Sequence, residues 1–289
     1  MSNLTILARV GVIIVNYNAG QWLERSVQSL LANQNHGLEI LIVDNGSSDS
    51  SLDQLEPDQT LRIDRVGQNL GFAGAIERGR KQLGTEFVLV LNTDCMIKAE
   101  DLARLAQELH DRPEVGLASG RVVGQDGREQ RASRRQLPTP KRIINELLPG
   151  GGGNAGVDVT HTPAPTHATT IEAVSGACML IRRAALDQID GFDTDYALHF
   201  EDVDLFARLQ QQGWTVRWCP DVRIVHIGGQ SSGCRPVYVL WAKHRGLWRY
   251  LNQHCKADWP IWQRPIWAAL ILAHALAKTP LVWLQNKWK

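Results

Sequence analysis

Apolar positions in this chain fall into blocks that follow two different periods. Val10 to Val15, Leu38 to Val43 and Phe87 to Leu91 are near-continuous apolar runs, without the alternation of a strand that has one face in water. Such runs read as strands buried on both faces, as in a parallel sheet under helices. Between them, Gln21 to Asn33 carries Trp22, Leu23, Val27, Leu30 and Leu31 at helical spacing, and Ala99 to His110 forms a further helix. Leu61 to Val66 predicts a weaker strand, followed by a helix to about Leu83, and Val115 to Ala118 predicts another strand. Alternation of this kind predicts an α/β domain: a doubly wound, mostly parallel sheet flanked by helices.

The pattern breaks near Gly124. From there to Thr170 the chain holds Arg128, Arg131, Arg134 and Arg135, several prolines and four consecutive glycines, Gly150 to Gly153. This stretch, about 124–170, reads as a mobile excursion over a cleft with a short helix near Lys141 to Leu148, since loops of such length are usually functional or disordered. These arginines could meet a phosphate-rich ligand, though for any one of them a solvated face is the plainer reading. Order returns with a buried strand over Val174 to Ile181, a turn at Gly191-Phe192-Asp193 and an amphipathic helix from Phe200 to Gly213. Thr215 to Cys219 and Val222 to Val225 predict two short strands. Residues 1–235 then form one domain, and 236–289 a C-terminal helical appendage.

Composition narrows the function. Basic and acidic residues number 31 and 30 in 289, so no global field points to nucleic acid. Five cysteines without C-x-x-C spacing suit a reducing compartment and argue against a disulfide framework or structural zinc. The first residues lack the pattern of a secretory signal.

Candidate chemistry lies where the buried runs end. Three of them finish in Asn16-Tyr17-Asn18, Asp44-Asn45-Gly46-Ser47 and Asn92-Thr93-Asp94. Open α/β sheets bind ligands beyond the carboxyl ends of their strands, so these residues would converge on one rim. Asp44 and its loop suit hydrogen bonds to a base or ribose, and Tyr17 suits stacking. Asn69-Leu70-Gly71 before a helix allows close backbone approach to a ligand. Taken singly, turn chemistry explains each of these residues as well, and Asp94 could simply cap the helix beginning near Ala99. Asp94 and His226 could share one divalent cation, for which carboxylate, imidazole and diphosphate oxygens favour Mg or Mn. Asp202, at a helix start, is the candidate general base, with N-capping the competing reading for it and for Glu201.

The ordered set VIIVNYN (Val12 to Asn18), ILIVDNGSSD (Ile40 to Asp49), NLGFAG (Asn69 to Gly74), VLNTD (Val90 to Asp94), SGACMLIRR (Ser175 to Arg183), FEDVDL (Phe200 to Leu205) and VHIGGQSS (Val225 to Ser232) closely resembles the family 2 inverting glycosyltransferases of GT-A fold. Within them it is most similar to the rhamnosyltransferase-like branch that builds bacterial surface polysaccharides. The resemblance implies a nucleoside-diphosphate sugar donor, with thymidine-diphospho-rhamnose the branch's choice, and a saccharide or lipid-linked acceptor. It implies that Asn16 to Asn18, Asp44 to Ser47, Asn69, Gly71, Asn92 and Thr93 bind the donor nucleotide, that Asp94 holds the metal, and that His226 is a further metal or diphosphate ligand. It implies that Asp202 is the base and that Ser175, Gly176 and Glu201 line the sugar and acceptor pocket. Two departures stand out: the D-x-D position reads Asn92-Thr93-Asp94, and Ile76 and Glu77 replace the family's frequent asparagines. A nucleotidyltransferase would need a Gly-rich basic loop after the first strand, which Asn16 to Ala19 is not. The alternative from another class is a catalytically silent sugar-nucleotide binder or assembly subunit.

Ten tryptophans, most of them after Trp214, mark the tail as distinct. The apolar run Ile266 to Ala273, interrupted by His274 and flanked by tryptophan and lysine, is short for a membrane span and suits a helix lying in the interface. Packing on the domain, or on a second copy in a homo-oligomer, is an equal alternative. The expected location is the cytoplasm, peripheral at the inner face of the cytoplasmic membrane.

Overall fold

The computed structural model describes residues 5–32, 37–147, 156–196, 198–228, 236–257 and 260–287. After a 3-10 turn at Thr5–Arg9 come β1 (Val10–Asn16), α1 (Gln21–Leu31), β2 (Glu39–Asp44), β3 (Leu61–Arg65), α2 (Gly71–Arg80), β4 (Phe87–Leu91), β5 (Cys95–Ile97), α3 (Ala99–Asp111) and β6 (Val115–Val123). There follow β7 (Arg134–Arg135), α4 (Pro140–Leu147), β8 (Thr169–Ile171), β9 (Ala173–Val174), β10 (Cys178–Arg182), α5 (Arg183–Gln188), α6 (Glu201–Gln211), β11 (Thr215–His226), α7 (Pro236–His254) and α8 (Arg264–Lys287).

The main sheet runs β3-β2-β1-β4-β10-β6-β11-β5, with β8 on β11. Alternate side chains of the unbroken apolar strands enter different cores. Phe87, Leu89 and Leu91 of β4 join the core under α1 and α3, while Val88 and Val90 join the one under α2, α5 and α6. Two-fold alternation sends successive residues to opposite faces, so a strand covered on both sides must be apolar throughout. On α1 the buried positions Leu23, Val27 and Leu30 recur at helical spacing.

Of four expectations one holds and three change. The sheet is mostly parallel, as expected, and mixed, with β10 antiparallel between β4 and β6. The run from Val174 to Ile181 is two strands, because the chain turns at Ser175-Gly176-Ala177 between β9 and β10. Conversely, the two strands expected between Thr215 and Val225 form one, β11, whose pairing with β6 shifts register between Cys219 and Arg223. Pro220 sits in that interval and has no N–H for the ladder, so an irregularity replaces a break. The fourth concerns the excursion, whose described parts are tied down. β7 pairs with β9, and Arg134, expected on a solvated face, is 3% exposed. Its guanidinium donates to Glu129 and to the carbonyl oxygens of Thr160 and Thr162. Arg128 and Arg131 remain in solvent. Residues 148–155, including the glycine run, lie outside the described residues.

In the C-terminal region, α7 packs on α6 through Val203, Ala207, Tyr250 and Leu251. His254 Nε2 lies 2.7 Å from Asp204 Oδ1, and Arg249 Nη2 donates to Asp193 and Asp195. α8 runs past the expected interruption. His274 turns its Nδ1 to His244 Nε2 of α7 at 2.8 Å, so the polar group is used between helices and the apolar faces continue. By length and composition, Ile261–Leu284 could cross a membrane: an 18-residue stretch of it has mean hydropathy 1.5 and is only 6% buried. Leu270, Leu276, Leu281 and Trp283 are all more than half exposed.

Candidate active site

β1, β2 and β4 are parallel neighbours, and Asn16 is directly opposite Asp44, so their polar ends share one edge of the sheet. Asn16 is buried and donates from Nδ2 to Asp44 Oδ1 at 2.9 Å, with Ser47 and Ser51 hydroxyls in reach of the same amide. Asp44 is itself 5% exposed, at the floor of this edge. Asn18 adopts a left-handed backbone and its Oδ1 accepts the Ser48 N–H, which fixes the rim loop beside half-buried Tyr17. Asn45 binds across to the next loop, donating to Asn69 Oδ1 and Gly71 O and accepting the Leu70 N–H. Gly71 has φ +76, a conformation most side chains resist, and Gly46 passes the Gln68 backbone where a Cβ would lie at 3.2 Å. The bonded amides of Asn18, Asn45 and Asn69 thus hold loop shape, as turn chemistry predicts.

The Asn92-Thr93-Asp94 turn follows β4, and Asn92 N–H donates to Ala177 O at 2.9 Å. Asp94 is 2% exposed and does not cap α3, whose N-cap, Lys98, has no side-chain cap bond. Instead Asp94 accepts the Gly228 N–H on Oδ2 at 3.1 Å, and its Oδ1 faces His226 Nε2 at 3.4 Å. These two residues, 132 positions apart by their numbers, meet because β11 pairs antiparallel with β5, setting His226 opposite Cys95.

Gln130, from the excursion, fixes the histidine's tautomer. Its Nε2 donates to His226 O at 2.7 Å, which turns its Oε1 to His226 Nδ1 at 2.8 Å. Nδ1 therefore carries a proton, and Nε2 is the ring nitrogen turned to the Asp94 carboxylate, where either a proton or a divalent cation between the two would hold them together. Cys95 Sγ is close enough to complete a three-residue cluster with their donor atoms within 4.8 Å of one another. Burial pushes the Cys95 thiol well up, with Cys178 and Asp94 adding to the effect, so it stays a neutral, weak donor. Asp94 and His226 fit a hard-to-borderline divalent ion such as Mg or Mn, with Gln130 behind them.

Asp202 stands on the same rim. Gly176 adjoins Ala177, which holds the Asn92 turn, and a Cβ on Gly176 would lie 2.7 Å from Asp202 Oδ2. Only glycine lets the carboxylate lie over this turn. Asp202 Oδ1 accepts the Val203 N–H at 2.8 Å and Oδ2 accepts from Arg135 Nη2 at 2.5 Å. The residue before α6, Phe200, and its neighbour His199 both have left-handed backbones, φ 73 and 64. Phe200 makes no side-chain cap, so the first turn of α6 is positioned by its surroundings. Glu201 is 7% exposed with Oε2 lacking a partner, and burial, with the neighbouring Asp202 charge, pushes its acid up to about 8. One carboxyl of the adjacent pair is thereby kept neutral beside the other. His199 is pushed down to about 4, chiefly by burial, and stays neutral too. Ser175 is half-buried and its Oγ accepts the Ala177 N–H.

The expected Asp94 and His226 are thus brought into contact, and Asp202 lies over Gly176, next to the Ala177 carbonyl that the Asn92 N–H binds. Gln130 and Arg135 were not foreseen: both lie in an arginine-rich stretch with no periodic signal, and only the pairing of that stretch brings them in. Cys95, Cys178, Cys219 and Cys255 are buried and form no disulfide among the described residues; Cys234 lies outside them.

This architecture is found among solved glycosyltransferases of GT-A fold. A mannosyltransferase from Pyrobaculum calidifontis, solved in complex with GDP-Man and Mn2+, superposes with a TM-score of 0.56 at 20% identity, covering 97% of this chain and 71% of that one. GalNAc-T7, solved with UDP, GalNAc and Mn2+, gives 0.57 at 16% identity over 76% of this chain and 43% of that one. In sequence, the chain is 28% identical over 265 residues to an N-acetylglucosaminyl-diphospho-decaprenol L-rhamnosyltransferase of Mycobacterium tuberculosis, covering 86% of this chain and 85% of the relative. A low-salt glycan biosynthesis hexosyltransferase of Haloferax volcanii is 26% identical over 77% of this chain and 68% of its own length. The model of glycosyl transferase family 2 matches residues 11–190, and that of glycosyl transferase family group 2 matches residues 159–286. Most of the main sheet and the Asn92-Thr93-Asp94 turn fall inside the first match, and the chain belongs to glycosyl transferase family 2.

Proposed function

We propose that the protein transfers rhamnose, with inversion, from thymidine-diphospho-rhamnose to a lipid-linked saccharide during surface polysaccharide synthesis. The observation that carries this reading is the meeting of Asp94 and His226 at the sheet edge, with the Asp202 carboxylate across the Ser175-Gly176-Ala177 turn. The name of the mycobacterial relative supports the sugar and the lipid-linked acceptor. In this reading the loops around Asn16 to Asn18, Asp44 to Ser47 and Asn69 to Gly71 seat the nucleoside, while Ser175 and Gly176 border the sugar.

Asp94 and His226 would hold a divalent ion, which when bound neutralises charge on the departing diphosphate. The chain itself supplies the base. Asp202 takes the proton of the acceptor hydroxyl as that oxygen bonds the anomeric carbon. The bond from that carbon to the diphosphate breaks, and its electron pair leaves with the nucleoside diphosphate. A positioned base of this kind contributes about 10²–10⁴ in rate. Neutral Glu201 leaves a single negative charge in the base loop for the acceptor to meet.

Asp202→Asn tests this reading: donor affinity should stay within about twofold while transfer falls by about 10²-fold or more. Near-normal turnover would remove the base. The exposed apolar α8 supports attachment at the inner face of the cytoplasmic membrane. Deleting residues 260–289 should release the protein from membranes with its donor affinity intact; unchanged fractionation would favour packing of α8 on another protein surface.

A further inference from the structure

Asp202 is held by a residue outside the family motifs. Arg135 Nη2 donates to Asp202 Oδ2 at 2.5 Å, and Arg135 Nε donates to Val174 O at 2.9 Å, with a second, short bond from Nη2 to the same carbonyl. The guanidinium carbon lies 5.8 Å from the Phe206 ring centre, so the fork is stacked on the same helix that carries the aspartate. Both partners are largely buried, each side chain 15% exposed. The backbone anchor is equally defined: Arg135 is opposite Ala173 in the two-stranded ladder that leads into the Ser175-Gly176-Ala177 turn.

The consequence is a carboxylate with little freedom. Oδ1 is used by the helix N–H of Val203, Oδ2 by Arg135, and Gly176 closes the space beneath. Each oxygen keeps one further lone pair, which leaves the carboxylate able to accept a proton from an acceptor hydroxyl. We propose that Arg135 is a positioning residue for transfer: it aims the Asp202 carboxylate across Gly176, joining the excursion to the base. This rests on the reading of Asp202 as the base.

The other groups facing Asp202 are Glu201 of its own helix and His199 of the preceding loop, with Lys243 of α7 acting on His199. None of these has an ion pair to the Asp202 carboxylate among the described residues, so Arg135 is the cation whose removal should be felt. The test compares full-length wild type, Arg135→Met and Arg135→Lys, measuring thymidine diphosphate release from thymidine-diphospho-rhamnose with Mn2+, and donor affinity by thermal shift. Arg135→Met should bind donor within about twofold of wild type and lose about tenfold or more in kcat. Arg135→Lys keeps the charge but not the planar fork, so part of the kcat loss should remain with donor affinity unchanged. A wild-type kcat in Arg135→Met would overturn the proposal. Should that variant not fold, Arg135→Lys decides: wild-type kcat overturns the proposal, and reduced kcat with wild-type donor affinity supports it. Asp202→Asn separates the two readings: if it is inactive while Arg135→Met is normal, only the positioning role fails, and if it turns over normally the base fails first.

Discussion

Glu201 offers a prediction whose size follows from its surroundings. Its carboxyl is buried next to Asp202, has one oxygen without a hydrogen-bond partner, and is pushed from an ordinary 4.5 to about 8. A folded-state value above the unfolded one means that the native protein binds the extra proton. The associated stability is complete below about pH 4.5 and is lost as pH rises, until the native group also ionises near pH 8. Between pH 6 and pH 9 this single group should therefore remove about 3 kcal/mol of stability, at 1.36 kcal/mol per pH unit. Glu201→Gln keeps the shape and the neutral state but cannot ionise. The assay is urea unfolding of both proteins at pH 6 and pH 9, read as the difference between them, so that titrating groups remote from Glu201 and common to both cancel. The variant should gain on wild type by about 3 kcal/mol over that interval. A difference that stays constant between the two pH values would refute the reasoning, because Glu201 would then titrate alike in both states. A variant losing ground as pH rises would mean that the native fold favours the carboxylate.

Two further outcomes follow from contacts around the site. Gln130→Leu removes the acceptor that holds the proton on His226 Nδ1, and Mn2+ affinity measured by titration should fall about 10–100-fold with the fold intact; unchanged affinity would show that the tautomer is set elsewhere. Gly246→Leu forces a side chain into α7 where even a Cβ would lie 3.0 Å from His199 O and from Phe200. It should cost about 1–3 kcal/mol and slow transfer more than donor binding, whereas equal loss of both would mean that the base loop does not depend on α7.

The apolar runs at Val10, Leu38 and Phe87, ending in asparagine and aspartate, were enough to determine a buried sheet with a polar carboxyl edge. Continuous apolar runs of strand length, bounded by turn formers, suit strands buried on both faces, and parallel neighbours end on one side. The ordered motifs carried the family with them, because each is a turn or strand end whose local chemistry is written in adjacent residues. Three things required the tertiary structure. Strand direction at β10 left no mark, since an antiparallel strand buried on both faces has the same composition as a parallel one. Gln130 and Arg135 look like any polar residues of an irregular stretch until ladder pairing at β7 and the approach of β11 bring them to His226 and Asp202. His274 broke the apolar run in sequence, yet in space it faces His244 of α7 and leaves α8 with continuous apolar sides. In each case the deciding interaction joins residues far apart in the chain, and periodicity within a short window holds no record of it.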